Sequence, residues 1–182
     1  MALTNAPDFV DGTLTASKLQ QLSDAINERT PQYVLKTATE GVTSSIVLQN
    51  DDVLLATVSA GQTYSGLLIA YMQSAANAAG DVNIGFGFPA GATCHFGGIG
   101  VVDTLASGST GDGQFVPRLS ATSGTTAIGY GASTAGTTAI VGVDLVVGGT
   151  GGTLNVMWCQ NSSNINESRM LLGSRFIVWR VS

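Results

Sequence analysis

The chain has a single histidine, His95, set between Cys94 and Phe96 in the run ATCHFGGIG. A cysteine beside a histidine suggests an activated thiolate. Neighbours in a strand, however, point to opposite faces, so this pair cannot meet. With no second histidine there is neither a serine-type triad with a spare base nor a two-histidine metal site. His95 is therefore read as a structural or surface residue. Cys94 and Cys159 fit no metal-ligand spacing and lie in apolar, strand-like runs, which points to two buried thiols rather than a disulfide. Asp51-Asp52, Asp103 and Asp112 have the setting of exposed carboxylates in turns. Asp112, in GSTGDGQ, could offer mixed oxygens to calcium but lacks the acidic clustering of a calcium loop. Nothing nominates a carboxylate pair for glycoside hydrolysis. GFGFPAG and GGIG resemble phosphate-cradling glycines only superficially, because strand signal continues on both sides and no GxxxxGK[ST] exists. The sequons at Asn161 and Asn166 are read as chance. Trp158 and Trp179 suit a core or an interface. Tyr64, Tyr71 and Tyr130 suit packing better than a sugar-binding face. The expectation is a protein that is not an enzyme, with no catalytic residue, metal or cofactor.

Composition says what must do the positioning instead. Of 182 residues, 44% are hydrophobic and only 10% charged, against about 25% charged in average soluble domains. Gly, Thr and Ser number 24, 20 and 17. Thr fits strands, while Gly and Ser fit turns. The net charge is −5, and from Gly41 to Ser168 the only Lys or Arg is Arg118. No basic stripe follows a phosphate backbone and no polybasic patch meets acidic lipid, so neither nucleic acid nor membrane is expected as a partner. The start shows no basic-then-apolar signal pattern, and the longest apolar stretch, Leu67 to Met72, falls far short of the ~20 residues of a membrane helix. Synthesis in the cytoplasm is expected.

The pattern changes at Pro31. Before it, Leu19, Leu22 and Ile26 share one face of a helix over about Ala16–Arg29, capped by Thr13 or Thr15, with Ser17 and Gln20 as an alternative capping pair. Pro31 ends it. The preceding residues, with Pro7, Asp8, Phe9 and the Asp11-Gly12 pair, read as an extended arm. Such a helix is marginal alone and needs either its own β body or sister helices. After Pro31 the period is two. Tyr33, Leu35 and Thr37 alternate with Gln32, Val34 and Lys36. Ile46-Val47-Leu48 makes a run before a turn at Asn50-Asp51-Asp52, and Val53 to Val58 makes the next. In GDVNIGFGF, Val82, Ile84, Phe86 and Phe88 share a face. Short strands with wide turns fill Gly97 to Gly136. Ala139 to Val147 and TLNVMWCQN flank a glycine turn, a polar loop covers Asn161 to Glu167, and SRFIVWRV closes the chain. That closing strand is apolar on both faces, which places it centrally or at a subunit contact. The expected fold is all-β, a jelly-roll-like β-sandwich over residues 32–182 with a short N-terminal arm and helix over residues 1–31.

The segments APDFVDGTLTASKLQQLSDAI, VLKTATEGVTSSIVLQNDD, GTLNVMWCQNSSN and SRFIVWRV carry a resemblance across most of the chain. They resemble small tail-associated virion structural proteins of phages infecting actinobacteria, with Phe9, Asp11-Gly12, Leu14-Thr15-Ala16, Leu19, Leu22 and Ile26 at the matching opening positions. The resemblance implies a virion protein, minor tail or fibre-type, made in the host cytoplasm and without catalytic residues. Together with the two-sided apolar strand it favours a homotrimer. The expected attachment and oligomer interface comprises Phe9, Leu14, Leu19, Leu22, Ile26, Phe176, Val178 and Trp179. Expected partners are other virion proteins, through the arm, and a host-surface glycan. A capsid decoration protein is the alternative, and a free carbohydrate-binding module a third reading.

Overall fold

The computed structural model describes residues 15–75, 81–101, 115–121 and 127–182. It opens on helix α1, Ala16–Arg29, with Thr15 as N-cap accepting a hydrogen bond from the Lys18 amide on its hydroxyl. The helix stops where Thr30 turns extended before Pro31, as the pre-proline restriction requires. Among the described residues twelve strands follow: β1 (Gln32–Leu35), β2 (Glu40–Val42), β3 (Gln49–Val58), β4 (Thr63–Ser74), β5 (Val82–Gly87), β6 (Thr93–Val101), β7 (Phe115–Ala121), β8 (Ile128–Tyr130), β9 (Thr137–Val146), β10 (Gly152–Gln160), β11 (Ser168–Met170) and β12 (Arg175–Arg180).

All pairings are antiparallel and fall into two sheets. The larger runs β1-β12-β4-β9-β6-β7, with β11 and β2 attached beside β4; the smaller runs β3-β10-β5-β8. Eight of these strands, β1, β3, β4, β5, β8, β9, β10 and β12, can be counted one to eight along the chain. They then stand in the orders 1-8-3-6 and 2-7-4-5, which is the strand order of a jelly roll. The β6–β7 hairpin is an insertion that widens the larger sheet beyond β9. The expected all-β sandwich is therefore what forms.

Alternation sets the core. Leu68, Ala70 and Met72 of β4, Ile84 and Phe86 of β5, Val141 and Leu145 of β9, and Leu154, Val156 and Trp158 of β10 are all buried between the sheets. Phe86 is the hub, meeting Phe96 edge-on at 5.1 Å between centroids and Phe176 at 5.8 Å. Gly98 is required by close packing: a Cβ there would collide with the Ile140 carbonyl of the neighbouring strand.

Two expectations fail here. Ile46-Val47-Leu48 is not a strand; Ile46 and Val47 are exposed and precede β3. Asn50-Asp51-Asp52 is not a turn but lies within β3, and Asp51 is 1% exposed. The register of β3 against β10 steps from Leu55↔Asn155 to Asn50↔Met157, a bulge on the β3 side. The Asp51 Oδ1 accepts hydrogen bonds from the Val53 and Leu54 amides at 3.0 and 2.9 Å. The carboxylate thus supplies the pairing that the bulged backbone loses.

Candidate functional site

The residues expected to do chemistry are dispersed. Cys94 is buried and His95 exposed, on opposite faces of β6. Both cysteines are free thiols, and burial pushes Cys94 up to about 12 and raises Cys159 as well. They are poor nucleophiles. Among the described residues no group of three or more His, Cys, Asp or Glu could hold a metal ion. Among the same residues no helix is long and apolar enough to cross a membrane. Asp103 and Asp112 lie outside the described residues, as do Phe9 and Leu14 of the expected interface.

What the fold does build is a surface. Strand register aligns the outward side chains of the larger sheet into rows. One row runs Leu35, Arg175, Ile69, Ile140, Ile99, and the next runs Tyr33, Ile177, Leu67, Gly142, Gly97. A third starts at Trp179 and passes through Ser65 and Asp144 to His95. Tyr33, Leu35, Ile99, Ile140 and Trp179 are all exposed by 38–56%. Leu67, Ile69 and Ile177 are half-buried between them. The rows are adjacent, so the apolar side chains form one continuous patch rather than scattered exposed residues. The outward positions of the smaller sheet differ: Thr57, Thr153, Asn83 and Asn155 dominate there, with Leu55 as the exposed apolar exception.

Charge on the apolar face is tied down. The Arg175 guanidinium donates to the Tyr71 hydroxyl at 2.9 Å and lies 5.9 Å from that ring's centre, and the Tyr71 contact raises its pKa. Ser65 donates to Asp144 at 2.6 Å.

The expected interface residues divide between the two sides of β12. Phe176 and Val178 point into the sandwich and are fully buried, so a partner subunit cannot reach them. Trp179 is on the open face, with Ile177, which the sequence did not single out for contact. Leu19 and Ile26 of α1 are exposed and Leu22 is half-buried, and the helix runs beside β12. The single chain therefore leaves most of the helix's apolar side uncovered.

No protein-family model matches the chain. No curated protein matches it. Among solved structures it is similar to a structure of infectious bursal disease virus, Gx strain, with a TM-score of 0.20 and 11% identity over 83% of this chain. The chain spans 40% of that viral chain's length. A likeness of that size carries no argument about the role of this chain.

Proposed function

We propose that the chain is a structural protein of a tailed bacteriophage virion, a minor tail or fibre-type component. In this reading residues 1–31 fix it to the particle. The jelly roll associates with copies of itself, three in the preferred arrangement, through the outer face of the larger sheet. The observation that carries the reading is the largely apolar patch from Tyr33 and Leu35 to Ile99, interrupted by Arg175, beside a helix whose Leu19 and Ile26 are uncovered. A face of that kind is normally closed by a partner. The fold is also one on which capsid and lectin domains are built, though fold alone does not assign a role. The non-enzymatic character belongs to the same proposal, as does a location in the virion.

A decoration protein on the capsid is the alternative position, with the same face applied to the shell. A free carbohydrate-binding module is less well supported, because Tyr64 and Tyr130 are buried and leave few aromatic platforms. Sedimentation of the full chain tests the reading. The wild type is expected to sediment as a trimer. A chain carrying both Ile177→Asp and Trp179→Asp is expected to be a folded monomer, since an unpaired charge is costly inside an apolar contact. A monomeric wild type at micromolar concentration would remove the interface from the account.

A further inference from the structure

The most concentrated buried charge lies away from that face, at the edge where β1 and β3 bring the two sheets together. Gln32 fastens this edge: its side-chain amide donates to the Thr57 carbonyl at 2.7 Å and accepts from the Thr57 amide at 2.9 Å. Just beyond the end of β1, Lys36 is 2% exposed, and its Nζ lies 2.7 Å from Asp51 Oδ2 and 2.8 Å from Glu40 Oε2. The Asp51 side chain is 0% exposed and that of Glu40 18%. Gln49 donates to the other Glu40 oxygen at 3.3 Å.

Removing two charges from water is expensive, and a plain ion pair gains little by it. This site has more than a pair. Lys36 is an amine held against a carboxyl group whose carbon lies one bond beyond the contacting oxygen. The other oxygen, Oδ1, is held by the Val53 and Leu54 amides, two donors placed where negative charge would develop during acyl transfer. Glu40 is a second carboxylate on the same amine, within reach to carry a proton. The β3 bulge is what turns Asp51 into this position.

We propose that Lys36 and Asp51 condense into an intramolecular amide, with Glu40 as the proton relay. Burial works to lower the Lys36 pKa, but the hydrogen bonds to Asp51 and Glu40 outweigh it and raise the pKa overall, so Lys36 rests as the ammonium. The reaction therefore begins with transfer of one ammonium proton to Asp51 Oδ2. The neutral Nζ attacks Cγ, and the charge on Oδ1 is stabilised by the two amides. Glu40 takes a second proton from Nζ and delivers it to the departing Oδ2, which leaves as water. The Nζ–Cγ bond forms and the Cγ–Oδ2 bond breaks. The third proton stays on the amide nitrogen, whose N–H donates a hydrogen bond to Glu40. No oxidant is needed, and the charge lost from Lys36 equals that lost from Asp51. The bond would join the larger sheet to the smaller beside the Gln32–Thr57 fastening, independently of any role in a virion.

The chain's own basic residues make the test direct. Lys36 is the only Lys or Arg between Arg29 and Arg118. Trypsin acting on the denatured wild-type chain cuts after a free Lys36 and releases residues 30–36 and 37–118. It does not cut after an acylated lysine. The amide therefore predicts one peptide, residues 30–118, lighter than its sequence by the mass of one water. Asp51→Asn is expected to give the same product by releasing ammonia instead. Glu40→Gln is expected to slow linkage on the order of a hundredfold or more while the circular dichroism of the folded chain stays unchanged. A folded wild type that yields a free 30–36 peptide and its full sequence mass would overturn the proposal and leave an ion pair only. A folded Glu40→Gln chain that links at the wild-type rate would overturn the relay. If that variant does not fold, the wild-type digest decides.

Discussion

Two residues three apart on β12 should respond oppositely to truncation. Phe176 is fully buried, in ring contact with Phe86, and its neighbours belong to both sheets. Phe176→Ala removes the ring from a close-packed core that can collapse only partly, at a cost of about 3–5 kcal/mol. Trp179 is 38% exposed on the outer face. Trp179→Ser should cost the isolated subunit no more than about 1 kcal/mol, as is usual away from core features. With a urea m-value of about 2 kcal/mol/M, the first change moves the unfolding midpoint down by roughly 2 M and the second by about 0.5 M or less. The assay is urea unfolding followed by tryptophan fluorescence, where buried Trp158 serves as reporter in both variants. It should be run at a concentration low enough to dissociate any oligomer. Sedimentation at high concentration then reads assembly separately, and there the order reverses: Trp179→Ser weakens association. If Trp179→Ser destabilised the dissociated subunit as much as Phe176→Ala does, the assignment of inner and outer faces on β12 would be wrong.

Other consequences are open to measurement. Cys94 is protonated in the fold up to about pH 12, against an ordinary value of 9.0. The folded state thus holds a proton that the unfolded chain releases, so stability is full below about pH 9 and declines as pH rises towards 12. Cys94→Ala should flatten that decline in pH-dependent unfolding, and neither thiol should react with iodoacetamide at pH 8 until the chain is denatured. Gln32→Ala removes both contacts to the edge of β3 and should cost about 1–2 kcal/mol, with faster hydrogen exchange at the Thr57 amide. Thr15→Ala removes the α1 cap and should lower helix stability by about 1 kcal/mol, seen as reduced ellipticity at 222 nm.

Local signals in the sequence located α1 well, because a cap and a proline bracket it: Thr15 and Pro31 stand at the observed ends. The alternation in β5 was also legible, with Val82, Ile84 and Phe86 all buried. β12 was harder. Both its sides are apolar, so period two identifies a strand without saying which side faces inward; only pairing with β1 and β4 decides that Phe176 and Val178 belong to the core. Asp51 was misread for a related reason. Consecutive Asn and Asp residues are strong turn formers, and the cation that holds Asp51 in a strand is Lys36, 15 residues away. No local pattern announces that pairing. The only trace was the alternation that put Lys36 in phase with Gln32 and Val34, on the side that proves to face inward. The apolar patch was invisible to sequence because it is assembled across strands distant in the chain.

Location in an intact particle tests the virion reading most directly. Electron cryomicroscopy of phage particles assembled while this chain is expressed, in full length and without residues 1–31, is the measurement. Jelly-roll density is expected in a closed ring on the tail, with the larger sheet's outer face turned towards sister subunits. Loss of that density is expected when residues 1–31 are deleted. Particles that lack the protein altogether, or that retain it with residues 1–31 removed and the larger sheet facing solvent, would contradict it.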